Sequence, residues 1–344
     1  MIKRIKVIAV VTALVAMLAV PTVYAADTST SAVEDYFKEF ISYFLTGQDA
    51  ASSSSSQFSF GKSGFQAEDG YLYHYTNFTR DVYPQGFVEI DGGYYHISEA
   101  GSKIDTYPQG FVTVNSVLCH LSADSASFDV YTAGFHVIDG KLCHVSQDGY
   151  AIDLYAAGPQ EIDGSLYYSL GDGSFATDTA VGHLTFGSDG RYTSGNETLD
   201  QYVDEALAAC TNESMTRSEK LRAAYLYVRD HGAYLARPHQ ARGSTSWAEE
   251  SALFMFKNKK GNCYCFAGQF MYMARRLGFD AYVVSGGVGH RDADHAWVMI
   301  PEGSSNYIYD VELEWGYRVG KYGKADYNLY RMPLNKTVFS YQFP

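Results

Sequence analysis

Gly261-Asn-Cys-Tyr-Cys-Phe-Ala-Gly-Gln-Phe-Met-Tyr-Met-Ala-Arg-Arg-Leu-Gly278 is the stretch on which the rest of the chain turns, because a possible nucleophile, a helix start and a packing pattern coincide in it. Phe266, Phe270, Met273 and Leu277 recur at helical spacing as one apolar stripe, Arg275 and Arg276 suit the negative end of the helix dipole, and Gly278 suits the stop. The spacing predicts a helix that begins close to Cys263. A thiol at that place faces free N–H groups and positive dipole charge, both of which favour the thiolate, the nucleophilic form. Gly261 and Asn262 let the chain turn tightly into the helix. Cys265 lies two residues on, a rotation of about 200°, and is expected on the other side of the helix. Its Cys-x-Cys spacing also lacks the two-residue gap of zinc sites.

A cysteine nucleophile needs an imidazole beside it and a group that orients the imidazole. Asp294 to Ile300 reads as a strand, Tyr307 to Val311 reads as another, and Pro301-Glu-Gly-Ser-Ser-Asn306 between them carries turn signals. With Pro301 to Ser304 as a four-residue loop, Ile300 pairs with Ser305 and His295 falls opposite Asp310. Directly paired residues share a face, so imidazole and carboxylate meet there. Glu312, two residues further on that face, is the alternative orienting acid. A rival reading makes a divalent-metal site of His290, Asp292, Asp294 and His295, since histidine and carboxylates in one loop can hold such an ion.

Gly-x-Cys-x-x-x-Ala opening a helix that ends Leu-Gly-Phe-Asp-Ala-Tyr-Val-Val-Ser-Gly, then His-Ala-Trp-Val, then a strand with Asp, resembles the transglutaminase-like superfamily of papain-like folds. The resemblance covers roughly residues 197 to 343. It implies an α+β papain-like domain in which Cys263 attacks an amide carbonyl, His295 acts as base and acid, and Asp310 orients it, with no cofactor. The run Asp310-Val-Glu-Leu-Glu-Trp315 departs from the Pro or x-Thr that usually follows the family's aspartate. For the oxyanion, the residues offer the Cys263 backbone N–H and a second donor, Tyr234 or Trp247.

Upstream, the texture is different. From Gly64 to Val181 the sequence repeats with copies beginning at Gly64, Gly86, Gly110, Gly134 and Gly158, the fullest being Gly134-Phe-His-Val-Ile-Asp-Gly-Lys-Leu-Cys-His-Val-Ser146. Asp-Gly between alternating apolar runs is the strongest short hairpin signal, and a lone hairpin is marginal in water, so the copies are expected to stack as an elongated solenoid-like β-hairpin array. These copies resemble the glycine- and tyrosine-rich cell-wall-binding repeats of exported Gram-positive bacterial proteins, although none of the three tryptophans lies in them. The resemblance implies a cell-wall polymer as partner. His74, His96, His120 and His144 recur at one position of the copy; they read as cross-strand packing sites rather than a metal ladder, with no acid recurring beside them.

Between the repeats and Cys263, residues 199–210 form one helical face. Thr216-Arg-Ser-Glu219 and Ser246-Trp-Ala-Glu249 read as capping boxes opening two more helices that end near Gly232 and Asn258. At the other end of the chain, Met1-Ile-Lys-Arg-Ile-Lys, an apolar run to Val20 and Val23-Tyr24-Ala25 read as a signal peptide cleaved after Ala25. An amphipathic helix over Ser31 to Leu45 and a serine-rich linker follow. The expected organisation is thus signal peptide 1–25, helix and linker 26–60, repeats 61–192 and catalytic domain 193–344. Without Lys3, Arg4 and Lys6 the formal charge of −13 becomes −16, which argues against nucleic acid or an anionic membrane as partner. Five cysteines, an odd number, leave Cys263 as the reactive thiol and the other four as buried thiols. The expected activity is that of a secreted, wall-associated enzyme on peptide or protein amides. A catalytically silent adhesin and a metal-dependent hydrolase are the alternatives.

Overall fold

The structure is a computed structural model and describes residues 63–122, 126–319 and 327–344. The signal peptide, the expected helix over Ser31 to Leu45 and the serine-rich linker lie outside the described residues. Among those described, no helix is long and apolar enough to cross a membrane.

Five antiparallel hairpins open the described chain: Gly64–Glu68 with Tyr71–Thr76, Gly86–Ile90 with Gly93–Ile97, Gly110–Val114 with Val117–Leu121, Gly134–Ile138 with Lys141–Val145, and Gly158–Ile162 with Ser165–Ser169. Each turn has both central residues at positive φ, as in Asp139 (48°) and Gly140 (76°), which is the type I′ geometry that matches strand twist. The third hairpin makes the same turn with Asn115 (49°) and Ser116 (68°), so the backbone repeats where the Asp-Gly signal does not. Successive copies are stitched together by their connectors: Ile104 N donates to Leu72 O at 2.9 Å, Phe128 N to Tyr94 O at 2.9 Å and Ile152 N to Leu118 O at 2.8 Å. Ile97, Leu121 and Val145, equivalent positions of three copies, are wholly buried.

The repeated histidines are buried and face the phenylalanine across the hairpin, with ring centroids 4.7–5.1 Å apart. Packing is only part of their role, because an acid does recur with them, in the connector rather than beside them. His74, His96, His120 and His144 each meet an aspartate through Nδ1: Asp81 at 2.7 Å, and Asp105, Asp129 and Asp153 at 2.6 Å. A tyrosine two residues after each aspartate brings its hydroxyl to the same nitrogen. The other nitrogen reaches the turn of the next hairpin, Asp91 for His74, Asn115 for His96 and Asp139 for His120, each at 2.9 Å.

The C-terminal part is α+β. Helix α1 (Glu197–Cys210) is capped by the Asn196 side chain, and α2 (Arg217–His231) by the expected Thr216–Glu219 box. Helix α3 (Ala248–Asn258) does not use the box expected at Ser246: Trp247 stands at the cap with helical φ and ψ and no side-chain capping bond to the helix, while the Ser246 hydroxyl faces that of Ser244. Helix α4 (Cys263–Arg276) is the core element, buried at every residue from Cys263 to Ala274. It lies against a five-stranded antiparallel sheet in the order Met332–Pro333, Ser305–Tyr309, Ala293–Glu302, Tyr282–Val288, Tyr341–Gln342. Ala296, Val298 and Ile300 belong to the helical core; Trp297 and Met299 point to the opposite face and pack with Val284, Ile308, Leu329 and Met332. Helix α5 (Val311–Arg318) follows the Ser305–Tyr309 strand directly.

The fifth hairpin is fastened to this part. Arg276 Nη2 donates to Gly164 O at 2.7 Å, Lys220 Nζ meets Glu161 Oε2 at 2.8 Å, and Asp280 Oδ1 accepts from the backbone N of His183 at 2.6 Å and its Nδ1 at 2.7 Å. A Cβ on Gly278 would come within 2.7 Å of the Pro159 Cβ, so this close approach and the φ of 81° both call for glycine.

Candidate active site

Cys263 is the first residue of α4, as its sequence context predicts. The turn into the helix is shaped from below by Cys265: a Cβ on Gly261 would collide with the Cys265 side chain. Cys265 is thus packed away from the site, and burial pushes its thiol up. Burial also pushes Cys119 to about 12 and Cys143 and Cys210 to about 11. None of the five cysteines is in a disulfide. The segment after α2 grips the start of α4: Ala233–Tyr234 pairs in parallel with Lys260–Gly261, Leu235 N donates to Gly261 O at 2.8 Å, and Asn262 Nδ2 donates to Arg237 O at 3.3 Å.

His295 is buried on the Ala293–Glu302 strand, opposite Gly286. Its Nε2 donates to Asp310 Oδ2 at 2.8 Å. Burial by itself would lower the imidazole, but the Asp310 charge and the hydrogen bonds His295 makes with Asp310 and Cys263 outweigh it and hold His295 well above its ordinary value of 6.5. With Nε2 committed to Asp310, Nδ1 is the ring nitrogen left for the Cys263 thiol, which is among the groups that raise His295. Thiol, imidazole and carboxylate therefore come together as expected.

The register that joins them is different. The strand runs on to Glu302, the turn is the two residues Gly303 and Ser304, and Ile300 pairs with Tyr307, two residues from the expected pairing. In this register, position 312 would continue opposite His295. Asp310 reaches the imidazole because the strand stops at Tyr309 and the chain turns into α5 with Asp310 as its N-cap. One carboxylate oxygen accepts from Leu313 N at 3.1 Å; the other accepts from His295 and, at 2.7 Å, from Tyr341 Oη. Glu312 sits on the far side of the ring, Oε2 being 3.9 Å from Nδ1.

Behind Asp310 is a buried network that the sequence gives little sign of. Glu314 has no exposed surface; its Oε1 accepts from Arg229 Nη1 at 2.6 Å, and its Oε2 accepts from Tyr225 Oη at 2.9 Å and Leu329 N at 2.7 Å. Tyr225 Oη also lies 3.0 Å from the Asp310 carbonyl oxygen. Burial, with neighbouring carboxylates adding to it, holds the Tyr225 and Tyr341 phenols well above their usual range, so both remain donors.

Of the two side chains considered for the oxyanion, Trp247 is not available: its indole N–H donates to Ser244 O at 2.6 Å. Tyr234 borders the Gly261 turn, is half exposed and stacks on Trp315 at 6.3 Å. The acids of the rival metal site face a protein cation. Arg242 Nη1 meets Asp292 Oδ2 at 2.9 Å and Arg242 Nε meets Asp294 Oδ1 at 2.8 Å, while His295 is held by Asp310. Among the described residues no group of three or more His, Cys, Asp or Glu side chains is placed to hold a metal ion.

Residues 203–310 match the model of the transglutaminase-like superfamily, a span that contains Cys263 and His295 and ends on Asp310. The C-terminal part is a transglutaminase-like domain. Solved structures similar to parts of the chain include choline-binding protein F from Streptococcus pneumoniae, determined with a peptidoglycan analogue. It is 14% identical over 38% of this chain and 40% of its own, with a TM-score of 0.29. A transglutaminase is 19% identical over 37% of this chain and 33% of its own, with a TM-score of 0.25. The choline-binding domain of another Streptococcus pneumoniae protein is 16% identical over 32% of this chain and 94% of its own, with a TM-score of 0.14. The chain thus spans well under half the length of the first two. No curated protein matches it. The transglutaminase-like domain is preceded by hairpin repeats that have choline-binding proteins among their structural neighbours.

Proposed function

We propose that the transglutaminase-like domain is a cysteine-dependent acyl-transfer enzyme acting on peptide or protein amides through Cys263, His295 and Asp310. The observation that carries this reading is the buried His295–Asp310 pair at 2.8 Å beside a thiol at the first residue of a helix. The Cys263 thiolate attacks the amide carbonyl, the oxyanion is held by the Cys263 backbone N–H with Tyr234 as the remaining side-chain donor, and His295 gives its proton to the leaving amine. The thioester then passes to water or to an amine, with Asp310 keeping the imidazole oriented throughout.

The protein is exported, and the repeats hold it at the cell wall. Support for this is narrower than composition suggests, because most repeat aromatics pack inward and only Tyr71 and Phe78 are strongly exposed among the described ones. Tyr71 also lines a groove of about 760 Å³ with Gly70, Lys103, Asp105 and Tyr107. Aromatic faces beside such a groove suit sugar rings or wall polymers, and tethering raises the local concentration of substrate.

Intact-mass labelling with iodoacetamide at mildly acidic pH tests the enzymatic reading. Rapid modification of Cys263 alone, indifferent to a chelator, is the expected result. Modification no faster than that of the buried thiols points instead to a silent domain, and protection or activation by chelator points to a metal.

A further inference from the structure

Glu312 is an acid at the site for which the chemistry above has no use. It lies on the first turn of α5, the helix whose cap is Asp310, so the bonds that fix Asp310 also fix where Glu312 begins. Its side chain is only 15% exposed, and it takes part in no hydrogen bond among the described residues. Its Oε2 stands 3.9 Å from His295 Nδ1, the nitrogen on the thiol side of the ring. That separation is too long for a hydrogen bond, and a small polar group beside the pair can reach both atoms. Trp315, three residues on and so on the same face of α5, contacts Phe266 at 5.9 Å, and Phe266 is three residues from Cys263 on α4. Acid and thiol thus stand on two packed helices, each beside the imidazole.

We propose that Glu312 is a catalytic residue of the second half-reaction only, holding the acyl acceptor between its carboxylate and His295 Nδ1 while the Cys263 thioester is resolved. This rests on the acyl-transfer reading above. In the first half-reaction the place at Nδ1 belongs to Cys263. Once the sulfur is acylated and His295 has given its proton to the leaving group, Nδ1 carries a lone pair, and a water or amine can donate one hydrogen to it and another to Glu312. The bond from acceptor to carbonyl carbon then forms, the carbon–sulfur bond breaks, sulfur leaves as thiolate, and the acceptor's proton passes to Nδ1, restoring the starting pair. Burial pushes the Glu312 carboxyl up to about 7; the His295 charge opposes this and the Asp310 charge adds to it. The groups that face Glu312 are His295 from the sheet and Asp310 from its own helix, with Tyr341 on Asp310 from the C-terminal strand.

The two half-reactions separate with p-nitrophenyl acetate, whose leaving group needs no proton. The full-length protein is expected to show a burst of nitrophenolate that Cys263→Ala abolishes, followed by a slower steady state. Glu312→Gln should leave the burst rate within about twofold and lower the steady state by at least about tenfold, with the acetyl adduct on Cys263 accumulating in the intact mass. A burst and steady state that fall together, or a steady state that does not fall, overturns the role of Glu312 while leaving the thiol enzyme standing. A burst that is absent, or that survives Cys263→Ala, overturns both. Glu312→Asp, which keeps the charge but withdraws it, is read in the same way and covers a glutamine variant that fails to fold.

Discussion

Both halves of the molecule contain buried histidines bonded to aspartates, and the difference between them shows what makes such a pair reactive. In the repeats the imidazole–carboxylate distances are 2.6–2.7 Å; in the transglutaminase-like domain the distance is 2.8 Å. Distance and burial therefore do not separate the structural pairs from the pair proposed to be catalytic. The second ring nitrogen does. In the first three repeats it is occupied by Asp91, Asn115 or Asp139 from the next turn, so the ring is a bracket between copies. In His295 it meets a thiol at a helix start, where a proton can move.

The largest expected effect tests this contrast directly. Cys263→Ala or His295→Ala should lower amide turnover by roughly 10⁴-fold or more, the scale on which nucleophile–base units fail. His120→Ala should leave turnover within about twofold and instead lower the melting temperature, since it removes the buried ring that joins Asp129 to Asp139 of the next turn and packs on Phe111, at a cost of about 1–3 kcal/mol. Comparable losses of turnover in both would erase the distinction between the two kinds of pair.

Asp310→Asn should come next, lowering turnover by about 10²–10⁴-fold because the imidazole keeps its place but loses the charge that favours its protonated form. Iodoacetamide labelling of Cys263 near pH 6 should slow in the same variant. If Glu312→Gln is instead the variant that abolishes the burst, the orienting acid is Glu312 and Asp310 serves only as the helix cap.

A smaller effect on turnover, and a larger one on folding, is expected at Glu314. Replacing it with Ala takes one acceptor from Arg229 and from Tyr225, which keep Asp230 and the Asp310 carbonyl, and removes the acceptor of Leu329 N, so it should cost about 1–3 kcal/mol, read as a fall in melting temperature. Turnover in the surviving folded fraction should fall less than in Asp310→Asn.

The legible parts of the fold are those written in short-range chemistry. The hairpins announce themselves through Asp-Gly turns at fixed intervals, and α2 and α4 through a capping box and an apolar stripe. The start of α5 is misleading because Tyr307-Ile-Tyr-Asp-Val311 favours a strand by composition. The signal against it is Asp310 followed by Glu312 and Glu314, an N-cap with acids in the first turn, and it outweighs the β-branched residues. The aspartates of the repeat histidines escape notice because they lie seven or nine residues on, in connectors, and only folding returns them. Glu314 and Tyr341 reach the site from elements far apart in sequence, and their role follows from packing alone.

The smallest expected effect concerns protons in the repeats. His74 and His120 have a carboxylate at each nitrogen, an arrangement only an imidazolium satisfies, since a neutral ring can donate to just one. Burial would lower both histidines, but the hydrogen bonds and charges of two aspartates outweigh it and raise them above 6.5. A folded-state value above the unfolded one means that the stabilisation is complete below about pH 6.5 and is lost as pH rises through the raised value. His295 and Glu312 are also raised and contribute a slope of the same sign, so the melting temperature of the whole protein cannot assign the effect to the repeats. The third copy supplies the control. Its turn carries Asn115, whose Nδ2 lies 2.9 Å from His96 Nε2, so a neutral ring can accept there and still donate to Asp105. Replacing Asp91 and Asp139 together by Asn extends that arrangement to His74 and His120. The double variant should lose less melting temperature than the wild type between pH 6 and pH 8.5, and the gap should narrow with salt because both turn aspartates are more than half exposed. Parallel melting curves for the two proteins across that range would mean that the carboxylate at the second nitrogen is not felt by the ring, and that the bracket between copies owes nothing to charge.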